Sequence, residues 1–259
     1  MELSKNKLSS YSGLGSRKQR LKKGLFIVEG EKSVADTLGS FRLEALVTRT
    51  GFVPSMFEIS RLPGDRIFST DDRGMDKLST LSTSSQVVAI YRLPEETLRK
   101  RGERKEIKLK ECDGLYLMLD GIQDPGNLGT IIRTAHWFGI KKIFASPDTA
   151  DIYNPKTIQA TMGSLAKVEV EYVDLPGLLN SNPDMPVYGL LLDGEDIFRA
   201  TLKDYGFIVM GNEGKGISEE VRRMVTDRLL IPPYDASNHS ESLNVAIATG
   251  ITLAAFRGR

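Results

Sequence analysis

Two periodicities of apolar residues divide the first part of the chain into helices and strands. Helical spacing of apolar residues predicts helices over Glu31–Leu38 and Thr70–Leu78. Short apolar runs bounded by turn residues predict strands at Leu25–Val28, Ala45–Thr48, Arg66–Ser69 and Gln86–Tyr91. We therefore expect a small α/β domain in this part of the chain.

The second part alternates strands and helices more regularly. Apolar runs predict strands at Leu115–Leu119, Lys142–Ala145, Lys167–Val173, Val187–Leu192, Phe207–Met210 and Arg228–Ile231. Helices are predicted to begin near Asn127, Pro155, Ser218 and Ser242. Because short connections join alternating strands and helices, we expect a mostly parallel sheet covered on both faces.

Charge supports a division between these parts. Residues 1–110 hold 22 Lys or Arg against 14 Asp or Glu, whereas residues 111–259 hold 13 against 20. The stretch 99–112 is charged and poor in apolar residues, which is typical of a linker. We predict a first domain over 1–98, a charged linker over 99–112 and a second domain over 113–259.

The amino-terminal segment is strongly basic. No acidic residue occurs from Lys5 to Lys23, as in a surface that neutralises phosphates. The alternative is a solvated, partly disordered basic tail. The candidate RNA-binding residues in this segment are Arg17, Lys18, Arg20, Lys22 and Lys23.

Composition excludes several classes of protein. The chain has 259 residues, of which 40% are hydrophobic and 27% charged, as in a globular protein. Cys112 is the single cysteine, which excludes a disulfide framework and a cysteine-rich zinc site. His136 and His239 are far apart in sequence, so we expect no metal. The single cysteine suits the reducing cytoplasm, where we expect the protein, and since we find no signal peptide and no apolar run of about 18 residues, we expect no membrane span.

The first candidate loop follows the predicted strand Leu115–Leu119. Asp124-Pro125-Gly126-Asn127 lies where that strand ends, and open α/β sheets bind ligands at such ends. Asn127 is a candidate N-cap of the following helix. Arg133 lies six residues later among apolar neighbours, so its guanidinium is expected to need a partner.

Two further loops follow later strands. The run from Gly211 to Gly216 has the spacing Gly-x-x-Gly-x-Gly, which differs from the dinucleotide fingerprint, and no Gly-Lys-Ser/Thr phosphate loop occurs. The third loop leads from Ile231-Pro232 to Ser242-Leu243-Asn244-Val245. Taken alone, Ser242 is expected to be a helix N-cap, with Asn244 in the first turn.

Together, the three loops resemble those of the SpoU (TrmH) family of RNA ribose 2′-O-methyltransferases, in the SPOUT superfamily. The resemblance covers about 113–257 and keeps the motif order: Asn127 with Arg133, then Gly211-Asn212-Glu213-Gly214, then the third loop. The first part resembles the SpoU substrate-binding domain, most clearly at Leu25–Gly30. One departure is Pro233, which stands where the family usually has Met, before a longer glycine-free loop to Glu241.

The resemblance implies an α/β fold with a carboxyl-terminal trefoil-knotted, parallel-sheet methyltransferase domain, preceded by a small α/β RNA-binding domain. It also implies S-adenosylmethionine as cofactor and a homodimer formed through the methyltransferase domain. The donor contacts that it implies are Leu192, Gly211, Ile231 and Leu243. The catalytic polar residues that it implies are Arg133, Asn127, Glu213, Asn244 and Ser242.

The chemistry of methyl transfer suits these residue types. A ribose 2′-hydroxyl needs a group that accepts its proton or stabilises the developing alkoxide. Arg133 is expected to stabilise the charge, because an arginine is always protonated, and Glu213 is expected to orient Arg133 or the ribose. The family proposal that this Arg is the base stays open.

We expect an S-adenosylmethionine-dependent enzyme that methylates a ribose 2′-hydroxyl in ribosomal RNA. A transfer RNA substrate is the nearest alternative. A second alternative is an inactive RNA-binding protein on the same fold, although Asn127, Arg133, Glu213 and Asn244 are all present. A third, a nucleotide-binding oxidoreductase, lacks its phosphate fingerprint.

Overall fold

A computed structural model describes residues 1–98, 101–102, 106–109, 114–235, 237 and 240–258. In these ranges the strands are β1 (Leu25–Glu29), β2 (Leu43–Arg49), β3 (Ile67–Thr70), β4 (Val87–Arg92), β5 (Leu115–Asp120), β6 (Lys142–Ala145), β7 (Glu169–Tyr172), β8 (Val187–Asp196), β9 (Gly206–Gly211) and β10 (Asp227–Leu230). The α-helices are α1 (Lys5–Tyr11), α2 (Arg17–Lys23), α3 (Glu31–Thr37), α4 (Asp72–Leu78), α5 (Pro125–Trp137), α6 (Pro155–Thr161), α7 (Leu175–Asn180), α8 (Glu219–Arg222) and α9 (Val245–Arg257). Every strand predicted from the sequence is present, with ends that differ by a few residues.

The chain forms two compact units. The first comprises Met1–Arg99 and Asp151–Ala166, and the second comprises Lys100–Ala150 and Lys167–Arg259. The first unit therefore contains α6, which lies far along the chain from the predicted first domain. Much of the predicted linker 99–112 lies outside the described residues, and the predicted domain bounds stay a prediction.

The first unit is built on a four-stranded mixed sheet in the order β1-β4-β2-β3. Strand β4 is antiparallel to β1 and β2, and β2 is parallel to β3. An aromatic cluster fills one face of the sheet, because the ring of Phe26 packs against Phe41, Tyr91 and Tyr153 at centroid distances of 5.1, 5.4 and 4.6 Å. The predicted small α/β domain is confirmed.

The basic amino-terminal segment is folded. It forms α1 and α2, with Tyr11 and Leu14 buried in the core of the unit. The alternative of a disordered tail is therefore wrong. Arg17, Lys18 and Lys22 are exposed on α2 and remain candidates for RNA binding.

Arg20 does not belong among the candidate RNA-binding residues, contrary to the prediction from the sequence. Its side chain is only 2% exposed and forms an ion pair with Asp151 at 2.6 Å. It also donates to the carbonyls of Leu14 and Gly15 at 2.9 and 2.8 Å. Because its guanidinium is buried and paired within the first unit, Arg20 cannot contact an RNA phosphate in this conformation.

The second unit is built on a six-stranded sheet in the order β10-β8-β9-β5-β6-β7. All neighbouring strands in it are parallel. The central strand β5 is buried along its whole length, as expected for a sheet covered on both faces. Tyr116, Phe144 and Phe207 meet in its core at centroid distances of 5.7 to 6.2 Å. The predicted mostly parallel sheet is confirmed.

Two helix starts differ from the sequence prediction. Helix α5 begins at Pro125, and its N-cap is Asp124, whose side chain accepts from the backbone N–H of Asn127. Helix α9 begins at Val245, and its N-cap is Asn244. The predictions of Asn127 and Ser242 as N-caps are therefore wrong, because Asn127 lies inside the first turn of α5 and Ser242 lies two residues before the N-cap of α9.

Strand β8 is interrupted opposite β10. Arg228 pairs with Gly189, but the next residue, Leu229, pairs with Glu195. Residues 190–194 thus lie between these two pairs without a paired residue on β10. We call this segment the excursion of β8, and it contains Leu192. A Cβ at Gly194 would lie 2.5 Å from the backbone of Leu229, so only glycine fits at its end. No helix among the described residues has the length and apolar character needed to cross a bilayer.

Candidate functional site

The candidate site lies at the carboxyl edge of the parallel sheet in the second unit. Strands β10, β8, β9 and β5 are neighbours and run in one direction, so their carboxyl ends lie along one edge. The end of β5 at Asp120 pairs with the end of β9 at Gly211. The first two candidate loops therefore leave the sheet side by side, as predicted from their positions after strands.

Hydrogen bonds hold these two loops together. The Asp120 carboxylate accepts from the backbone N–H of Ser218 at 2.7 Å. The Asn212 side chain donates to the carbonyl of Gly121 at 2.7 Å, while its oxygen accepts from the N–H groups of Gly214 and Lys215 at 2.9 Å each. The glycine-rich turn is thus fixed to the end of β5.

Gly211 is needed for this turn to close. The backbone N–H of Asn212 donates to the carbonyl of Gly216, and the N–H of Gly216 donates back, both at 2.9 Å. A Cβ at Gly211 would lie 2.4 Å from the backbone of Gly216 and Ile217. Since backbone atoms cannot move aside locally, a larger residue would open the turn. The structure thus gives Gly211 a conformational role, and its predicted donor contact stays a prediction.

One side chain connects all three predicted motifs. Asn127, on the first turn of α5, donates from Nδ2 to Oε1 of Glu213 at 3.0 Å. Its Oδ1 accepts from Nδ2 of Asn244 at 3.0 Å. The structure therefore brings together Asn127, Glu213 and Asn244, which are far apart in sequence.

The groups at the two ends of this chain of hydrogen bonds determine which way each side-chain amide points. Asn244 must present Oδ1 to the helix, because it accepts from the N–H groups of Ala246 and Ile247 at 2.9 and 3.3 Å. Its Nδ2 is then the donor toward Asn127. Asn127 accepts on Oδ1 and offers Nδ2 to the carboxylate of Glu213, which only accepts when ionised. The amino end of α9 is thus linked through two amides to a carboxylate.

Arg133 does not have the partner that was expected. It is exposed on α5, and within the described part of the chain it has no hydrogen bond or ion pair. The helix buries Leu128, Ile131 and Ile132, whereas Trp137 at its carboxyl end is 85% exposed. The carboxylate of Glu213 contacts Asn127 and not Arg133, and the alternative expectation that Glu213 orients the ribose stays a prediction.

The candidate donor residues lie along the same edge. Gly211 ends β9, Ile231 follows β10, and Leu192 lies in the excursion of β8. Leu192 and Leu243 are 78% and 47% exposed, so both side chains present apolar surface to solvent. Asp193 accepts hydrogen bonds from Arg228 and Arg222, and the bond from Arg228 holds the pKa of Asp193 below its ordinary value. These bonds fix the segment that carries Leu192.

Ser242 is exposed and caps no helix. Its carbonyl accepts from the hydroxyl of Ser240 at 3.2 Å. The long third loop is described only in part, since Ala236, Asn238 and His239 lie outside the described residues. Among the residues that the structure describes, no group of three or more His, Cys, Asp and Glu side chains has the geometry of a metal site.

Three residues that hold the site were not predicted from the sequence. Asp124 caps α5, Asp120 binds the N–H of Ser218, and Asn212 braces the glycine-rich turn. A signal existed for Asp124, because Pro125 is suited to the first helical position and an Asp before it is a strong N-cap. The roles of Asp120 and Asn212 depend on contacts 98 and 91 residues away.

Comparisons with known proteins agree with this architecture. The SpoU rRNA Methylase family matches residues 114–254, and the MRM3-like substrate binding domain matches residues 5–89. The chain is 30% identical to the 23S rRNA (guanosine(2553)-2′-O)-methyltransferase RlmP of Bacillus subtilis (strain 168), with 100% of this chain and 99% of that protein covered.

Solved structures give the same result. A protein from Porphyromonas gingivalis assigned to the TrmH family of RNA methyltransferases has 36% identity and a TM-score of 0.83, with 100% and 99% of the two chains covered. An AdoMet-bound rRNA methyltransferase from Sinorhizobium meliloti has 26% identity and a TM-score of 0.80, covering 100% and 96%.

The all-parallel sheet with a loop cluster at its carboxyl edge defines an α/β protein of the kind that binds ligands at its strand ends. The chain belongs to the SpoU rRNA methylase family, with an MRM3-like substrate-binding domain ahead of the methylase part. The resemblance inferred from the three loops and from the first domain is confirmed.

Proposed function

We propose that this protein transfers a methyl group from S-adenosylmethionine to a ribose 2′-hydroxyl of ribosomal RNA. The observation that carries the proposal is the hydrogen-bonded chain from Glu213 through Asn127 to Asn244, which joins the three family motifs in one place. Family membership supports the same activity, since the similar Bacillus subtilis protein is named as a 23S rRNA 2′-O-methyltransferase.

The residues present fit the proposed cofactor. An adenosyl group needs apolar surface, and Leu192 and Leu243 expose apolar side chains at the edge where Gly211 and Ile231 also lie. When bound, S-adenosylmethionine supplies an electrophilic methyl group on a sulfonium. The closed turn at Gly211 and the paired Asp193 would keep the surrounding backbone in place.

The protein's own contribution to the reaction is positioning and charge. A bond forms between the 2′-oxygen and the methyl carbon while the carbon–sulfur bond breaks, and the hydroxyl loses its proton. Arg133 has a guanidinium free of protein partners among the described residues, so we assign it to the developing alkoxide and the neighbouring phosphate. Because arginine side chains stay protonated in proteins, we assign Arg133 a charge-stabilising role, and the hydroxyl proton passes to solvent.

Asn127, Glu213 and Asn244 are proposed to hold the loops around the ribose. The second oxygen of Glu213 and the exposed hydroxyl of Ser242 are proposed to complete the polar surface that faces the substrate. These four residues and Arg133 form the proposed catalytic group. Leu192, Gly211, Ile231 and Leu243 form the proposed donor site.

The first unit is proposed to bind RNA through exposed basic residues of α2, namely Arg17, Lys18 and Lys22, with Lys23 half-buried beside them. Arg20 is left out of this surface, because it is buried against Asp151. We also propose that the protein acts on this RNA in the cytoplasm.

We further propose that the protein is a homodimer and that its methyltransferase domain is knotted. The exposed Trp137 on α5 and Ile247 on α9 support a partner on these two helices, which pack against each other. The excursion of β8 at 190–194, and the order β10-β8-β9-β5 along the sheet, suit a chain that passes through its own loop.

Transfer of a labelled methyl group tests the proposed function. The protein is incubated with tritiated S-adenosylmethionine and protein-free ribosomal RNA, with transfer RNA in a parallel reaction. We expect label in ribosomal RNA at a linkage that resists alkaline hydrolysis, since a 2′-O-methyl group blocks cleavage. Label on a base, or label in transfer RNA alone, contradicts the proposal.

A further inference from the structure

A cavity of about 380 Å³ lies in the first unit, away in sequence from all three motifs of the methyltransferase site. Its size is within the range of sites that hold a small ligand, of order 300 to 1,000 Å³. Residues from α1, α2, β1, β2 and β4 line it: Lys7, Ser10, Tyr11, Lys23, Leu25, Glu44 and Arg92.

The cavity carries more positive than negative charge. Its single carboxylate, Glu44, is paired with Arg92 at 2.7 Å. This pair is neutral overall, and Lys7 and Lys23 remain as uncompensated charges of the lining. An anionic ligand is therefore favoured over a neutral or cationic one.

Both lysines keep donors for a ligand. The Lys7 ammonium lies 4.0 Å from the centre of the Phe68 ring, and that of Lys23 donates to the carbonyl of Ser12 at 2.9 Å. An ammonium has three N–H donors, and a ring face or one carbonyl engages at most one of them. The remaining donors can bind an oxygen-rich anion.

Tyr11 supplies a third donor from the wall of the cavity. Its side chain is buried, and within the described residues its hydroxyl has no hydrogen-bond partner. Burial, and then the charge of Glu44, raise the pKa of Tyr11, so the phenol keeps its proton at neutral pH. Beside it, Ser10 is exposed and Leu25 gives an apolar patch.

We propose that this cavity binds one phosphodiester of the RNA substrate, together with its ribose. The inference rests on the proposed RNA methyltransferase function and adds a specific anchor point to it. Lys7, Lys23 and Tyr11 are donors suited to phosphate oxygens, and Leu25 offers a surface for the sugar. Glu44, the only carboxylate among the lining residues, is paired with Arg92. It is therefore not available to accept a hydrogen bond from a base, and the lining cannot distinguish one base from another in this way. The contact is therefore independent of RNA sequence.

The test measures RNA affinity as a function of salt. A fluorescein-labelled single-stranded ribo-oligonucleotide is titrated with the full-length protein at a series of KCl concentrations, by fluorescence anisotropy. The variants are Tyr11→Phe, which removes one hydroxyl, and Lys7→Gln with Lys23→Gln, which removes two charges. The matched control, Arg73→Gln with Lys77→Gln, removes two charges from exposed positions on α4 that do not line the cavity.

We expect the cavity double variant to bind about tenfold more weakly and to lower the slope of log affinity against log salt by about 0.7, the value for one phosphate of a single strand. Tyr11→Phe should weaken binding by about tenfold, as for a lost hydrogen bond to a charged group, with an unchanged slope. The α4 control should change affinity less than either. Thermal melting checks the fold, and Tyr11→Phe carries the test if the double variant is unfolded.

Equal effects of the α4 control and the cavity double variant would overturn the proposal, as would wild-type affinity in Tyr11→Phe. Titration with inorganic phosphate tests whether the cavity binds free phosphate instead of a phosphodiester of RNA. If the cavity variants lose phosphate binding but keep RNA binding, the cavity takes a free anion and the proposal is wrong. If the wild-type protein transfers methyl groups and the cavity variants bind RNA as tightly as it does, this inference alone is wrong. If the wild-type protein binds no RNA, the proposed function is wrong.

Discussion

The side-chain amide of Asn244 donates to the side-chain oxygen of Asn127 over 3.0 Å, although 117 positions separate the two residues. Asn244 also caps α9, so one residue fixes a helix start and the geometry of a distant loop. Substitutions at this position can separate these two roles, because only one of them needs the amide nitrogen.

Asn244→Asp should keep the N-cap of α9 and lose the hydrogen bond to Asn127. Aspartate is as good an N-cap as asparagine, so the melting temperature should stay close to that of the wild type. The new carboxylate cannot donate to Asn127, so the loops should shift and methyl transfer should fall by about tenfold to a hundredfold. Asn244→Ala is the control, because it also loses about 1 kcal/mol of capping. Wild-type turnover in Asn244→Asp would show that the contact is dispensable.

Arg133→Ala should leave the fold and donor affinity nearly intact, because the side chain is exposed and unpaired among the described residues. Its methyl transfer should fall by a factor of about a hundred or more, since one preorganised donor to an oxyanion contributes about 3 to 4 kcal/mol. Arg133→Lys keeps the charge but loses the planar guanidinium, so it should restore little. Single-turnover transfer at saturating donor measures this, and a wild-type rate in Arg133→Ala removes the residue from the mechanism.

S-adenosylhomocysteine should bind the second unit and stabilise the protein. At about 100 times its dissociation constant, a ligand adds about 2.7 kcal/mol to the free energy of unfolding, which raises the melting temperature. Calorimetry and thermal melting measure both effects. NADH is the negative control, and a shift with NADH but none with S-adenosylhomocysteine would support the oxidoreductase alternative.

Asp151→Asn should destabilise the first unit strongly. It keeps the shape of the side chain but leaves the buried Arg20 guanidinium without its counter-charge, at an expected cost of about 3 kcal/mol. Asp72→Asn is a matched control, because Asp72 pairs with Arg49 at the same 2.6 Å but is 75% exposed. That change should alter the free energy of unfolding by about 1 kcal/mol or less. Equal effects in denaturant titrations would mean that burial does not govern the strength of the Arg20 pair.

Alkaline pH should destabilise the first unit through Tyr91. Burial raises its pKa to about 12, while its hydroxyl shares a hydrogen bond with Thr37 at 3.0 Å. The folded state therefore holds this proton more tightly than the unfolded chain, whose tyrosines titrate near pH 10. The stabilisation is fully present below about pH 10 and is lost toward about pH 12, at a slope approaching 1.4 kcal/mol per pH unit. The free energy of unfolding, measured by guanidinium titrations at a series of pH values, should fall less steeply with pH in Tyr91→Phe than in the wild type. An identical dependence on pH in the two proteins would contradict the role of Tyr91.

Local patterns were sufficient for most of the secondary structure. Apolar runs such as Leu115–Leu119 mark buried strands whatever their neighbours are, and the regular alternation of strands and helices in the second part favours a parallel sheet there. They were less informative at helix ends, since Asp124 and Asn127 are both good N-caps, as are Ser242 and Asn244. Which one caps is decided by where the backbone enters the helix, and this places the side-chain oxygens of Asp124 and Asn244 at the first free N–H groups.

The sequence by itself determined the two α/β parts, the order of the three loops and the family to which they belong. Only the tertiary structure decided that Arg20 is buried against Asp151, 131 residues away, while Arg17 and Lys18 face solvent. It also decided that Glu213 contacts Asn127 instead of Arg133. A charged residue looks the same in sequence whether it is paired or free, because its partner is chosen by how distant segments pack.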